Sequence, residues 1–270
     1  MLEAADGDST HAVRIVAQEG AAQPRKLSAV KIPGIEVRRV ARCGSTNSVL
    51  LAQAPAAPVL LVAEEQTAGR GRRGRRWLGA PGAGLSFSLA RRLRRPLREL
   101  AALSLVAGVA AARALRALGV PAELKWPNDL VAGGGKLGGI LVETRAAGHE
   151  TLAVFGIGIN LRGAETLSRR LRRPIASLDQ FIGSSDGDLV LQKISMALMS
   201  AIDAFEAEGF EAAKKEWETM HAYAGRRVKV RLANGRSVTG IAAGLDVDGA
   251  LSLRTRSGIR SIRSGTVRVA

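Results

Sequence analysis

Residues 125–141 read KWPNDLVAGGGKLGGIL, and this stretch indicates a strand-rich fold. Asp129–Ala132 is a short extended pattern that ends at three consecutive glycines, and Lys136 then opens an apolar run that continues to Thr144. Consecutive glycines allow a tight reversal of the chain. The pattern therefore predicts a β-hairpin with Lys136 near its turn.

Hydrophobic periodicity outside this hairpin predicts further strands and a few helices. Strands are predicted at Val59–Ala63, Leu85–Leu89 and Thr151–Leu161. Helices are predicted at Leu97–Leu118, Leu189–Glu206 and Phe210–Ala222. Clustered strands with a few helices indicate an α+β fold, in which a mixed β-sheet is flanked by helices, and not a repeating βαβ sheet.

The two ends of the chain differ from this central part in composition and in hydrophobic pattern. Residues 1–35 are polar and Ala-rich, and we expect a loose extension with one short strand at Ala12–Val16. Residues 36–223 then form the main domain. From residue 224 to 270, short alternating stretches are separated by turn pairs such as Asn234-Gly235, which predicts a small SH3-like β-barrel.

Composition limits the classes of partner. The formal net charge is +16, from 40 Lys and Arg against 24 Asp and Glu, so anionic partners are favoured. Cys43 is the single cysteine, which fits a reducing cytoplasm. The apolar stretch 101–118 is interrupted by Arg113 and Arg116 and falls short of the roughly 18 apolar residues of a membrane span, so no membrane association is expected.

The segment Gly69-Arg70-Gly71-Arg72-Arg73-Gly74 has the G-x-G-x-x-G form of a dinucleotide fingerprint. That fingerprint should open a helix and be followed about twenty residues later by an acidic residue. Arg75-Arg76-Trp77 follows instead, and the later position holds Arg94-Arg95. We therefore interpret the segment as a loop whose arginines surround a phosphate or carboxylate.

Three other segments combine polar groups with glycines or aromatic rings. Lys125–Asp129 places a cation, a ring, a fixed turn and a carboxylate together, and Asp129 could hold Mg²⁺ or orient a lysine. Gly156–Asn160 combines glycines with a terminal amide. Ser45-Thr46-Asn47 precedes an apolar helix, where short polar side chains typically act as N-caps. The metal ligands stay undetermined, because His11, His149 and His221 have no metal-ligand spacing.

Taken in order, these segments resemble those of biotin protein ligases, from about Ser45 to Trp217 and more weakly beyond. The resemblance implies a biotin/lipoate ligase-like catalytic domain of the ligase-only form, since no helix-turn-helix pattern precedes Ser45. It implies biotin-binding roles for Ser45, Thr46, Asn47, Gln66, Arg70, Gly71, Arg72 and Lys136. It implies catalytic roles for Lys136, Arg72 and Asp129, and ATP-binding roles for Lys125, Asn160 and Trp77.

The reaction implied by the resemblance is ATP- and Mg²⁺-dependent biotinylation of a lysine on a biotin carboxyl carrier protein through biotinyl-5′-AMP. Sequence-specific DNA binding is not expected, and a homodimer is compatible with the sequence. Two alternatives are a lipoate or octanoate ligase of similar fold and a basic nucleic-acid-binding protein. The first would leave the Ser45-Thr46-Asn47 and Gln66 set unused, and the second would need stacking aromatics among the basic residues.

Overall fold

A computed structural model describes residues 30–78, 82–183 and 186–270. The first part of the chain forms β1 (Glu36–Cys43), α1 (Thr46–Gln53), β2 (Val59–Gln66), β3 (Gly84–Leu93), α2 (Leu103–Ala117), β4 (Glu123–Lys125), β5 (Asp129–Ala132), β6 (Gly135–Ala147) and β7 (Glu150–Asn160). The rest forms α3 (Ala164–Leu171), α4 (Gly187–Glu208), α5 (Glu211–Thr219), β8 (Arg227–Arg231), β9 (Ser237–Leu245), β10 (Leu251–Thr255), β11 (Gly258–Ile262) and β12 (Thr266–Val269).

Seven strands form one mixed sheet in the order β1-β2-β3-β7-β6-β5-β4. Among the described strands of this sheet, β1 and β2 pair in parallel and the other neighbours are antiparallel. The hairpin predicted around the three glycines is confirmed as the β5–β6 pair. The α+β prediction, with a mixed sheet flanked by helices, is also confirmed.

The two faces of this sheet are covered differently. Leu50 of α1 is fully buried in a small cluster with Leu61 and Val154. Leu60, Phe87 and Phe155 belong to the larger core, which includes α2 and α4. Because strand residues alternate between faces, α1 lies on one face and the α2–α4 layer on the other. The functional cleft opens on the face of α1.

Helix α2 belongs to the hydrophobic core. The segment Glu99–Ala117 is long and apolar enough to span a membrane by composition, but most of it is buried inside the protein, as in a core helix. The predicted continuous helix from Leu97 is corrected at its start, because Leu97–Ala102 is a 3₁₀ helix that joins α2. Such tighter turns are common at helix N-termini.

The C-terminal strands form a separate antiparallel sheet in the order β11-β10-β9-β8-β12. The hairpin turns predicted at Asn234-Gly235 and Asp248-Gly249 connect its strands. The predicted SH3-like module is confirmed as a five-stranded antiparallel sheet, in which the edge strands β11 and β12 do not pair with each other in the described part of the chain. Strand β1 was not predicted from the sequence, because Arg38, Arg39 and Arg42 interrupt the apolar pattern of this edge strand. The short strand predicted at Ala12–Val16 lies outside the described residues.

Candidate functional site

A cleft lies between the seven-stranded sheet, the arginine loop (Gly69–Trp77) and strand β12 at the edge of the C-terminal sheet. It brings together residues that are far apart in sequence. The predicted site residues on its wall are Ser45, Thr46, Asn47, Gln66, Arg70, Gly71, Arg72, Trp77, Lys125, Asp129 and Lys136. Asn160 is the predicted site residue that does not line it.

At one end of the cleft, uncharged polar side chains form a chain of hydrogen bonds. The Thr46 backbone N–H donates to Gln66 Oε1 at 2.8 Å, and Thr46 Oγ1 lies 3.2 Å from the same oxygen. The Ser88 hydroxyl lies 2.6 Å from Thr46 Oγ1 and donates to Asn47 Oδ1 at 2.6 Å. Ser45, Thr46 and Asn47 are all buried. This end therefore presents fixed polar groups to the cleft.

These bonds exclude the capping interpretation of Ser45-Thr46-Asn47. Ser45 is the N-cap residue of α1 by position, but its side chain makes no capping hydrogen bond. The Thr46 hydroxyl contacts Gln66 and Ser88 instead, and Asn47 Oδ1 accepts a hydrogen bond from Ser88. The helix start thus serves to place three polar side chains at the cleft.

Two charged residues, Glu143 and Arg70, border this polar end of the cleft. Asn47 Nδ2 donates to Glu143 Oε2 at 2.8 Å, and Arg70 forms an ion pair with the same carboxylate at 2.7 Å. Glu143 therefore links the arginine loop to α1. Neither Ser88 nor Glu143 was predicted from the sequence, because each lies in a strand pattern that explains it without a site.

The strand register creates a trough for Trp77. Ser86, Gly158, Gly139, Asp129 and Lys125 lie side by side across β3, β7, β6, β5 and β4. A Cβ atom on Gly158 would collide with the Trp77 indole, and one on Gly139 would lie 3.4 Å from it. The two glycines thus leave space for the ring beside Asp129 and Lys125.

Gly156, two residues before Gly158, likewise leaves space for a side chain that packs on the sheet. It stands opposite Ser88 and Leu141, and a Cβ atom there would collide with the Asn47 amide. The Gly156-Ile157-Gly158 pattern is therefore required by close packing of Asn47 and Trp77 against the sheet.

The other end of the cleft is cationic. Lys136 forms an ion pair with Asp129, and its ammonium lies 5.8 Å from the centre of the Trp77 ring. Burial lowers the pKa of Lys136, although Asp129 opposes the shift. Burial likewise lowers the pKa of Lys125, whose ammonium lies 5.6 Å from the Tyr223 ring. Buried ammonium groups that face one carboxylate favour an added anion.

Asn160 lies in the wall behind this cationic end. Its Nδ2 donates to the backbone carbonyls of Lys136 and Ala176 at 3.1 and 3.0 Å. Both amide hydrogens are thus used within the protein. Asn160 borders a small side cavity that Trp77 and Lys136 also line.

The C-terminal sheet completes the cleft, which the sequence did not indicate. Gly265, Thr266 and Val267 line it. Arg73 donates to Ser264 Oγ at 2.5 Å and Arg75 to Thr266 Oγ1 at 2.8 Å. The arginine loop is thereby held against the start of β12.

The described residues contain no cluster of three His, Cys, Asp or Glu side chains that could hold a metal ion. Asp129 is the acidic residue on the cleft wall, and Lys136 is already paired with it. The chain's own described side chains therefore do not form a cage for a metal ion such as Mg²⁺, which favours oxygen ligands.

Comparison with known proteins identifies the family. The model of the biotin/lipoate A/B protein ligase family matches residues 40–160, and that of the biotin protein ligase C-terminal domain matches residues 223–269. The biotin–[acetyl-CoA-carboxylase] ligase of Mycobacterium tuberculosis is 36% identical over 225 residues, covering 79% of this chain and 81% of that protein. The chain belongs to the biotin protein ligase family.

Other members of the family agree in sequence and fold. The bifunctional ligase/repressor BirA of Salmonella typhimurium is 35% identical over 208 residues, which cover 76% of this chain and 65% of that protein. The chain thus spans about two thirds of this longer relative. The solved structure of the Aquifex aeolicus biotin protein ligase in complex with biotin and ATP has a TM-score of 0.75 and 28% identity, covering 87% of this chain and 99% of that one.

Proposed function

We propose that the chain is an ATP-dependent ligase that adenylates biotin and transfers the biotinyl group to a lysine of a biotin carboxyl carrier protein. The observation that carries the proposal is one cleft with a buried uncharged polar end and a cationic end. Biotin has the matching asymmetry, because its ureido head is neutral and polar and its tail is a carboxylate. The Aquifex aeolicus relative was solved in complex with both biotin and ATP, which supports the same pair of ligands here.

The polar end suits the ureido head. A ureido group has two N–H donors and one carbonyl acceptor, and each group left unpaired in a closed pocket costs roughly 1 to 3 kcal/mol. Asn47 and Gln66 supply carbonyl oxygens, and Ser45 and Thr46 supply hydroxyl groups. Because Ser88 and Glu143 already hold Asn47, its orientation is set before the ligand arrives.

The cationic end suits the adenylation step. One carboxylate oxygen of biotin attacks the α-phosphorus of ATP, the bond to the bridging oxygen breaks, and pyrophosphate leaves with that electron pair. Two anions must approach each other, so fixed cations supply most of the stabilisation. We assign this role to Lys136 and Arg72, with Arg70 and Gly71 in the covering loop, and Asp129 holds the Lys136 ammonium in place.

The nucleotide lies, in this proposal, between Lys125, Trp77 and the side cavity beside Asn160. We take Mg²⁺ to arrive as the counterion of ATP, since the described cleft wall itself offers Asp129 alone. In the second step, the neutral amine of the acceptor lysine attacks the acyl carbon, the bond from that carbon to the phosphate oxygen breaks, and AMP leaves with that electron pair. The nitrogen gives up one proton to solvent as the amide forms. Asp129 is also placed to orient that amine.

We assign residues 36–223 to the catalytic domain and residues 224–270 to a C-terminal domain that completes the cleft. The one cysteine of the chain, Cys43, is consistent with a cytoplasmic location. Lipoate or octanoate transfer is the second candidate, because the matching family model includes lipoate ligases. The buried polar end favours biotin, since neither of those acids has a ureido group.

The test is acid-dependent pyrophosphate release from MgATP with biotin, lipoate or octanoate as the acid. We expect release with biotin and no more than background with the two fatty acids. A carrier protein with its target lysine intact should then become biotinylated, and one with that lysine changed to Arg should not. Equal turnover with lipoate would reject the assignment.

A further inference from the structure

The arginine cluster of residues 169–173 has no role in the function proposed above. Arg169 is paired with Glu165 on α3, and Arg170 is exposed. Arg172 ends the helix with a positive φ of 49°. Arg173 differs from these three, because it lines the wall of the cleft.

The backbone around Arg173 is held at several points. Lys136 and Ile175 form a parallel bridge, in which the Lys136 N–H donates to Pro174 O at 3.1 Å and the Ala176 N–H donates to Lys136 O at 2.9 Å. Ser168 Oγ accepts from the Ile175 N–H at 3.0 Å. The backbone that carries Arg173 is therefore fixed next to Lys136.

Gly135 permits this close arrangement. A Cβ atom at that position would lie 2.7 Å from the Ala176 nitrogen and from the Ile175 carbonyl carbon, closer than real Cβ contacts. The Asn160 amide then joins the two backbone segments from the other side. Gly135 and Asn160 thus act as positioning residues that place Arg173 beside Lys136.

Arg173 stands where the cleft meets the side cavity. The two cavities share four wall residues, which are Arg76, Trp77, Lys136 and Arg173. Among the described residues of the cleft wall, eight are Lys or Arg and one is acidic, so an anion with several charges is favoured there. The positive charge of Arg173 also contributes to the lowered pKa of both Lys125 and Lys136, after burial.

We propose that Arg173 is a further substrate-binding residue that contacts the phosphate chain of ATP. The inference rests on the proposed function. A nucleotide that extends from the cleft into the side cavity must pass between Lys136 and Arg173, and a guanidinium can bind two phosphate oxygens at once. Arg173 is exposed to solvent, so its contribution is smaller than that of a buried contact.

The test measures binding of a non-hydrolysable ATP analogue by calorimetry, with biotin titrated separately. Arg173→Gln should weaken the analogue about tenfold and leave the affinity for biotin within about twofold. Arg173→Lys should recover part of the loss, because it restores the charge but not the planar fork. Arg170→Gln removes the same charge from an exposed position outside both cavities and should change neither affinity.

The outcomes separate this inference from the proposed function. If the unchanged protein binds neither ligand, the proposed function is wrong and the role of Arg173 fails with it. If the unchanged protein binds both ligands and Arg173→Gln binds the analogue normally, the proposed function stands and Arg173 has no phosphate role. Equal weakening of biotin and the analogue would also overturn the inference, because it would indicate a general disturbance of the cleft.

Discussion

At the scale of single residues, Arg72 is set apart from the other arginines of the loop by its burial. Arg70, Arg73, Arg75 and Arg76 are exposed, whereas Arg72 is partly buried on the cleft wall. Burial, together with the nearby Arg73, lowers the pKa of Arg72, and Asp129 opposes this shift. A guanidinium in this setting is expected to bind an anion tightly when the cleft is occupied.

Arg72→Gly should leave adenylate synthesis measurable but release biotinyl-AMP from the cleft. Loss of a charge-assisted contact of roughly 1.5 to 3 kcal/mol should speed release by about one to two orders of magnitude. The escaped acyl-adenylate reacts with exposed amines, so serum albumin mixed with the variant, ATP and biotin should be labelled. If the variant makes adenylate at a normal rate yet labels albumin no more than the unchanged enzyme does, Arg72 does not retain the intermediate.

At the scale of secondary-structure elements, β7 determines where Trp77 lies. Gly158→Ala should displace the indole from its trough, because the new Cβ atom would occupy the position of the ring. Overpacking typically costs roughly 1 to 3 kcal/mol, so we expect biotin-dependent pyrophosphate release to fall about tenfold or more while urea unfolding stays cooperative.

Gly183→Ala is the matched control for Gly158→Ala, because nothing lies within 4 Å of the added Cβ atom at that position. Its pyrophosphate release should equal that of the unchanged enzyme. Equal activity of the two alanine variants would show that the position of Trp77 is not set by Gly158.

A buried histidine just beyond the end of α5 should make stability depend on pH. His221 stacks on Trp217 with ring centres 4.5 Å apart, and its Nδ1 has no hydrogen-bond partner among the described residues. Burial lowers the pKa of His221 from 6.5 to about 4. Between these values the unfolded chain binds a proton and the folded chain does not, so the free energy of unfolding falls as pH falls.

The fall should amount to roughly 3 kcal/mol between pH 7 and pH 4. His221→Phe keeps the ring and removes the titration, so the difference between the two proteins in urea unfolding isolates this contribution from that of the carboxylates. Parallel pH profiles for the two proteins would indicate that the pKa of His221 is the same in the folded and the unfolded chain.

At the scale of the whole molecule, positive charge is concentrated at the C-terminal sheet. Residues 224–270 hold ten Lys and Arg against two Asp, a net charge of +8 that is half of the total of +16. Charge of this kind binds any polyanion with steep salt dependence, because binding releases counterions. It carries no base-specific information.

We therefore expect weak DNA binding that does not depend on sequence and is lost between about 50 and 200 mM salt. Gel-shift titrations with two unrelated duplexes of equal length should give the same affinity at each salt concentration. A protected footprint on one defined operator that survives moderate salt would contradict this expectation.

The sequence by itself determined the elements and the order of the ligand-binding segments. The hairpin at Gly133–Gly135 follows from local backbone freedom. The apolar run that opens β2 follows from burial on both faces of the sheet, and the helical periodicity of α4 follows from burial of one face. Both signals act over a few residues, so they can be recognised without the fold. The resemblance to biotin protein ligases likewise rests on short segments in a fixed order.

Only the tertiary structure decided which side chains share the cleft. Ser88 lies buried behind the cleft wall, where it contacts Thr46 and Asn47 because β3 stands opposite Gly156 of β7. Arg173 lines the cleft because a parallel bridge ties Ile175 to Lys136. The arginine loop is held by Ser264 and Thr266, about 190 residues further along the chain. Register, close packing and contact between the two sheets are long-range effects, which local sequence patterns do not encode.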